Sequence, residues 1–307
     1  MLKNSHPEAS SQNNKNNTQG SLHGTWASRW TFILAATGSA VGLGNIWKFP
    51  YIAGENGGGA FVLVYIACIA IVALPIMVAE VTLGRMGRQS PINTIRNLIK
   101  ESGASKSFGV IGWMGVSAGL MILSYYSVIA GWALNYIEYM ISGVFQNVTA
   151  EQAGTIFDDL MKDKNELIFW QSLFMLMTVV VVMCGIHKGL GLASQILMPL
   201  LFLLLIGLLV FGYQQGDLTG AFNFLFGFNF GSLTWQSVLI ALGHAFFTLS
   251  IGMGAMMVYG AYMPSNTGVF SNVLMVGVLD TLVALIAGLV IFSIVFANPS
   301  IESSAGP

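Results

Sequence analysis

The chain has 307 residues, 8% of them charged and 55% hydrophobic, with a formal net charge of −1. Soluble domains carry about 25% charged residues, so this composition excludes an ordinary soluble protein and places the chain in lipid. No nucleic-acid partner is expected.

In chain order, residues 1–24 come first; "SHPEASSQNNKNNTQGS" is polar and of low complexity and reads as a disordered tail. A bilayer core about 30 Å thick asks for about 20 apolar residues per helix. Seven stretches meet that demand: roughly 29–53, 59–83, 108–142, 167–186, 189–213, 236–262 and 270–297. Lipid offers the backbone no partners, so runs of this length are helices. The expected class is an all-α polytopic membrane protein, with no cleaved signal peptide ahead of the first span.

Positive charge sets the orientation. Arg85, Arg88, Arg96, Lys100 and Lys106 follow the second span, Lys3, Lys15 and Arg29 precede the first, and His187 and Lys188 join the fourth to the fifth. Residues 143–166 instead hold Glu151, Asp158, Asp159, Asp163 and Glu166 against two lysines. The positive-inside rule puts the N-terminus in the cytoplasm of a multi-pass cell-membrane protein. Cys68 and Cys184 lie in apolar spans, so no disulfide framework is expected. The sequon Asn147-Val148-Thr149 is read as a chance match.

The first span carries "GSAVGLGN" (38–45), with three glycines and an asparagine at mid-membrane, and the sixth carries "SIGMG" (250–254). They lie five spans apart in sequence, with four between them, so the two helices run in opposite directions. Matched interruptions of this kind point to an inverted-repeat transporter. A glycine costs a helix interior about 1 kcal/mol against alanine, and a cluster invites unwinding. Freed carbonyls then suit a dehydrated cation and freed amides an anionic group. Glycines that merely let helices pack closely are the blander reading; two matched clusters with polar neighbours favour broken helices.

Three stretches carry a family resemblance. "WASRWTFILAATGSAVGLGNIWKFPYIAGENGGGAFVLVY" (26–65), with its "GENGGGAF" loop, resembles the first helix and following loop of the neurotransmitter:sodium symporter family. "SYYSVIAGW" (124–132) and "HAFFTLSIGMGAMMVYGAY" (244–262) resemble its third and sixth helices. The resemblance runs from about residue 23 onward and implies the bacterial leucine-transporter fold with Na⁺-driven uptake of an amino acid.

It further implies two sodium sites. The first takes the Ala40 carbonyl with Asn45, Thr248 and, from "GVLDTLVAL", Asp280; the second takes the carbonyls of Gly38 and Val41. Oxygen-only ligands suit a hard cation. The substrate carboxylate is expected on the Tyr126 hydroxyl and the backbone of Gly42, Leu43 and Gly44. Its ammonium is expected on carbonyls of Ala40, Phe247 and Thr248 and on the Ser250 hydroxyl. Ile122 and Met253 line the side-chain pocket, which suits a bulky hydrophobic or aromatic amino acid, and Phe247, Tyr126 and Lys48 gate it. Blander roles stay open: interhelical glue for Asn45 and Thr248, an ordinary core aromatic for Tyr126, a gap filler for Met253.

Departures from the family pattern are informative. Asp280 stands where many members have asparagine, and Ala284 where chloride-dependent ones have serine. Asp280 is therefore expected to supply the charge that chloride supplies elsewhere, with no chloride requirement; a protonated, neutral aspartate is the alternative. His244 replaces a glutamine and is expected to be neutral and hydrogen-bonded, rather than proton-coupling. His23 and Gly24 replace a gate arginine. Glu80, in "VAEVTLGR", is expected to satisfy buried backbone near the unwound segment.

The first five-helix repeat is expected over about 29–213 and the start of a second over about 236–297, within a transporter domain at 25–307. Only two spans follow the second interruption, so later spans, the remaining ligands of the second sodium site and the acidic gate partners are expected to be missing, as in a fragment. A transport-dead fragment or a substrate-binding sensor is the alternative function. No nucleophile–base pair or His/Cys metal cluster appears in the spans, so an enzyme is not expected. Nothing in the sequence bears on oligomeric state.

Overall fold

The computed structural model describes residues 26–264 and 267–298, and among these it is helical throughout, without strands. The expected N-terminal tail, His23 and Gly24 lie outside the described residues.

Among the described residues, five helical stretches are long and apolar enough to cross a membrane: Gly59–Gly87, Lys106–Ser142, Lys164–Met183, Lys188–Gln215 and Val269–Ala297. The other two expected spans are absent from this set because each is broken in the middle. The first consists of α1 (Arg29–Ala40) and α2 (Phe49–Glu55), the sixth of α11 (Trp235–Thr248) and α12 (Ala255–Ala261).

Local chemistry accounts for these boundaries. The Ser28 hydroxyl accepts from the Thr31 amide and opens α1; Val41 turns extended and closes it. Between the break and α2 the chain makes a wide π-type turn, Gly44–Lys48. Pro50 follows and cannot donate back to Ile46, which favours the widened turn. The same device recurs where α3 (Gly59–Cys68) passes through Ile69–Ala73 into α4 (Leu74–Gly87), ahead of Pro75.

Between spans two and three the structure adds α5 (Pro91–Ser102), an amphipathic helix against the start of α6 (Gly109–Ser142). The acidic segment at 143–166 is not a plain loop. It contains α7 (Ala150–Lys162), opened by a capping box of Thr149 and Gln152. Asp163 then caps α8 (Lys164–Met183). A π-type turn at Ile186–Gly191 leads into α9 (Leu192–Gln215), followed by α10 (Leu218–Phe226) and, after α12, by α13 (Val269–Ala297).

The helices sort into two shells. α13 packs on α1, α4, α9 and α10 and buries Asn272, Asp280 and Ser293 along with its apolar face. α8 buries none of its side chains, and α6 and α9 leave most large hydrophobics outward, as lipid-facing helices do. The two broken helices sit in the inner shell, with α12 packed on α4, α11 on α3 and α1 on both α13 and α12.

Trp26, just before α1, ties the start of the described chain to α12. Its ring stacks on Tyr259 at 5.8 Å, its Nε1–H donates to the Tyr259 carbonyl at 3.0 Å, and its amide donates to the Tyr262 carbonyl at 2.9 Å. Trp26→Ala is expected to cost about 3–5 kcal/mol and Trp26→Phe about 1 kcal/mol, the lost hydrogen bond. Thermal unfolding in detergent should rank the two variants in that order; equal melting temperatures would show that the stack holds nothing.

Candidate functional site

The break between α1 and α2 frees backbone groups that lipid cannot satisfy. Two of the freed amides find their partners on side chains. The Gly42 amide donates to Asn45 Oδ1 at 3.1 Å, and the Leu43 amide donates to Tyr126 Oη at 2.9 Å. Gly42 is required here, because a Cβ at that position would stand 2.7 Å from Tyr126 Oη. Among the described residues no backbone amide donates to the carbonyls of Gly38, Ala40 or Val41.

The second break repeats the arrangement with other residues. The Gly252 amide donates to Glu80 Oε1 at 2.6 Å, the contact expected of that glutamate. Gly252 takes φ +86 and Ser250, a non-glycine residue, takes φ +53, a left-handed conformation that costs of order 1–3 kcal/mol outside glycine. The Ser250 hydroxyl donates to the Ser39 carbonyl at 2.8 Å and so bridges the two breaks.

Behind them lies a fully buried polar triad. Asn45 Nδ2 donates to Asp280 Oδ1 at 2.8 Å and to the Asp280 carbonyl at 3.1 Å; Thr248 Oγ1 donates to the same carboxylate at 3.1 Å. Asn45 and Asp280 are 0% exposed and Thr248 1%. Three residues from three helical stretches thus converge on one carboxylate, with oxygen lone pairs left over on each. Such a donor set suits a hard cation.

Beside the triad opens a cleft of about 310 Å³. Ala40, Gly42 and Gly44 from the first break, Ser250 and Met253 from the second, and Ile122 and Tyr126 from α6 line it. Leu43 does not; it faces an outer cleft of about 270 Å³ with Trp47, Lys48 and Tyr125. Gly44, Tyr126 and Phe247 border both clefts and form the partition. The Phe247 and Tyr126 rings lie 6.5 Å apart, and the Lys48 ammonium sits 4.8 Å above the Phe247 ring.

Gly38 and Val41, expected at a second cation site, also line the inner cleft. Val41 packs among Met198, Leu205, Val283 and Ala287, and the side chain nearest Gly38 is that of Met198. The Ser194 hydroxyl, close by, donates to the Leu190 carbonyl. The neighbouring Thr37 hydroxyl is buried and without a hydrogen-bond partner among the described residues.

His244 departs from expectation. It is 3% exposed, and neither ring nitrogen has a hydrogen-bond partner among the described residues. Packing holds it instead, with Phe49 stacked at 6.0 Å and Tyr65 tilted at 5.3 Å. The Tyr65 hydroxyl is likewise unpartnered. Cys68 and Cys184 are both free.

Sequence reasoning missed Ser39, Gly119 and Leu123 as cleft residues. A signal existed for Gly119. Gly112, Gly115 and Gly119 recur at helical spacing on α6; Gly112 lies against Ile92 and Gly115 against Met253. A small-residue stripe marks the face where backbones approach.

The model of the sodium:neurotransmitter symporter family matches residues 23–153 and 152–300. The chain belongs to the sodium:neurotransmitter symporter family. It is 39% identical over 272 residues to the uncharacterized sodium-dependent transporter YhdH of Bacillus subtilis, covering 89% of this chain and 59% of that protein. It is 32% identical over 289 residues to an uncharacterized sodium-dependent transporter of Haemophilus influenzae, covering 92% and 63%. The crystal structure of MhsT in complex with L-phenylalanine superposes with a TM-score of 0.81 at 43% identity, covering 90% of this chain and 62% of MhsT. The chain thus spans less than two thirds of the length of each of these relatives.

These matches show the leucine-transporter fold and a multi-pass helical membrane protein of a transporter family, not an enzyme family. Gly42→Ala is expected to destabilise the fold by about 1–3 kcal/mol through the contact with Tyr126 Oη. Because Tyr126→Phe removes that oxygen but also leaves the Leu43 amide without its partner, Gly42→Ala should cost less in the Tyr126→Phe background than in the wild type. An equal cost in both backgrounds would show that the strain lies elsewhere.

Proposed function

We propose that this chain forms the substrate- and sodium-binding part of a sodium-coupled symporter that imports a hydrophobic or aromatic amino acid by alternating access. The reading rests on one observation above all. Two helix breaks border one cleft, the first with the carbonyls of Gly38, Ala40 and Val41 undonated among the described residues, and the chain neighbours of the cleft's lining residues Gly44 and Phe247 are Asn45 and Thr248 of the buried Asn45–Thr248–Asp280 triad.

In this reading Na⁺ is a co-substrate. The first ion is held by the Ala40 carbonyl, Asn45, Thr248 and Asp280, and a second by the carbonyls of Gly38 and Val41 with residues outside the described set. The amino acid lies in the inner cleft. Its carboxylate faces the first ion and the Tyr126 hydroxyl, which accepts from the Leu43 amide and keeps its own proton to donate. The Leu43 amide is thereby engaged already, so the carboxylate is met by the phenol, the sodium ion and the backbone of Gly42 and Gly44. The ammonium faces the carbonyls of Ala40, Phe247 and Thr248 and the lone pairs of Ser250, whose proton is donated to Ser39. Ile122 and Met253 take the side chain, and L-phenylalanine in MhsT supports an aromatic one. Phe247, Tyr126 and Lys48 form the outer gate. The chain lies in the cell membrane with its N-terminus in the cytoplasm.

Asp280 places a fixed carboxylate where the cation binds, so transport needs no chloride. The alternative, second reading is binding without transport.

Sodium-gradient-driven uptake of labelled phenylalanine into proteoliposomes by the full-length protein tests the first reading. Uptake should require Na⁺ and persist when gluconate replaces chloride; loss of uptake in gluconate would sink the role given to Asp280. Asp280→Asn should weaken Na⁺-dependent phenylalanine binding about tenfold or more, about 1.4 kcal/mol at least. Binding with no uptake would decide for the second reading.

A further inference from the structure

At the other end of α6 from the acidic segment lies a third cleft, of about 730 Å³, between α5 and the start of α6. Arg96 and Lys100 on α5 and Lys106 just ahead of α6 bring three cations to its wall, and Ile92, Ile99 and Trp113 supply the apolar part. All three cations are exposed, and among the described residues none has a carboxylate within salt-bridge range. Glu101, the one acidic residue of α5, does not line the cleft.

Two features make this an interfacial site. Lys106 is the first residue of the apolar stretch Lys106–Ser142, so the cleft sits where that stretch leaves the hydrocarbon. Trp113, 59% exposed, stands at that boundary beside Phe108, Val110 and Ile111, which turn at least half their surface outward. A tryptophan at the headgroup level is the ordinary anchor of a membrane interface.

We propose that this cleft binds the headgroup of an anionic phospholipid of the phosphatidylglycerol type, its acyl chains lying along the outward face of α6. The phosphate is a diester bearing one negative charge, which the planar guanidinium of Arg96 can meet through two parallel N–H groups while the two lysines act as point charges. Unpaired basic side chains at a membrane surface are attracted to anionic lipid. The apolar residues beside them exclude a purely aqueous anion as the better fit, because they offer the glycerol backbone and first methylenes a wall that phosphate would leave empty. The site is independent of the substrate cleft and of the transport reading.

Lipid retention by the full chain, purified in a neutral detergent, tests this by native mass spectrometry with phosphatidylglycerol, phosphatidylcholine or glycerol phosphate added. The wild type should keep phosphatidylglycerol in preference to phosphatidylcholine. The triple variant Arg96→Gln/Lys100→Gln/Lys106→Gln should hold it about tenfold or more weakly. Equal retention by the triple variant overturns the proposal. So does displacement of the lipid by equimolar glycerol phosphate, which would make this a site for a soluble phosphate. Should the triple variant fail to fold, the wild type still decides. Phosphatidylglycerol with brominated acyl chains should quench tryptophan fluorescence more than the brominated phosphatidylcholine, and Trp113→Phe should remove that difference. Equal quenching by the two lipids in wild-type protein overturns it as well.

Discussion

In hydrocarbon a backbone amide without a partner costs several kcal/mol, and this protein interrupts two buried helices. Every other feature of the centre follows from how those interruptions are satisfied. Asn45 and Tyr126 take the amides of the first, Glu80 takes an amide of the second, and Ser250 closes a bond from one to the other. Glu80 and Tyr126 come from the unbroken α4 and α6, so intact helices hold the broken ones in shape. The rigid scaffold and the unwound centre are therefore not separate parts. Each unwound segment is kept open by a side chain whose own helix is continuous.

The partners are unequally distributed, and the inequality decides the chemistry. Side chains that accept hydrogen bonds have been placed on the freed amides, while the carbonyls of Gly38, Ala40 and Val41 are left without donors among the described residues. The surplus at the first break is thus of acceptors. Asp280 adds a carboxylate to the same region, and its two donors, Asn45 and Thr248, each retain an oxygen of their own. Neutralising that surplus with protein donors would have required further amides or hydroxyls. A desolvated cation does it with one atom, so the centre suits a hard cation.

The spans, the two breaks and the residue types at them were legible in the sequence, because hydrophobic length, glycine clustering and a buried carboxylate are local signals. What stayed hidden was who satisfies whom. Leu43 and Tyr126 are 83 positions apart, Gly252 and Glu80 172, Ser250 and Ser39 211, and Asn45 and Asp280 235. A single sequence states that a group needs a partner without naming it; family resemblance named Asp280 and Glu80 but not Ser39. His244 failed for a related reason. A buried imidazole was expected to have a hydrogen bond, yet the rings of Phe49 and Tyr65 hold it by contact alone. The helices α5, α7 and α10 were missed because they are too short or too amphipathic to register as spans, and caps such as Thr149–Gln152 fix them locally instead.

On the transport reading, both ends of the substrate path are governed by groups fastened to the broken helices. Phe247 lies in the last turn of α11 and Gly44 in the turn after the first break, and together with Tyr126 they separate the outer cleft from the inner one. At the opposite end Trp26, three residues before α1, stacks on Tyr259 of α12. Thus α1 and α12 are clamped to each other, while α11 leans on the turn that precedes α2. The breaks between these pairs lack the i→i−4 ladder, so a change of φ and ψ there ruptures side-chain contacts rather than helical turns. Moving the α1–α12 pair would open one end without disturbing the Phe247–Tyr126 partition. On this reading the groups proposed to bind substrate and sodium also form the hinge, so occupancy of the centre and access to it are controlled by the same few bonds.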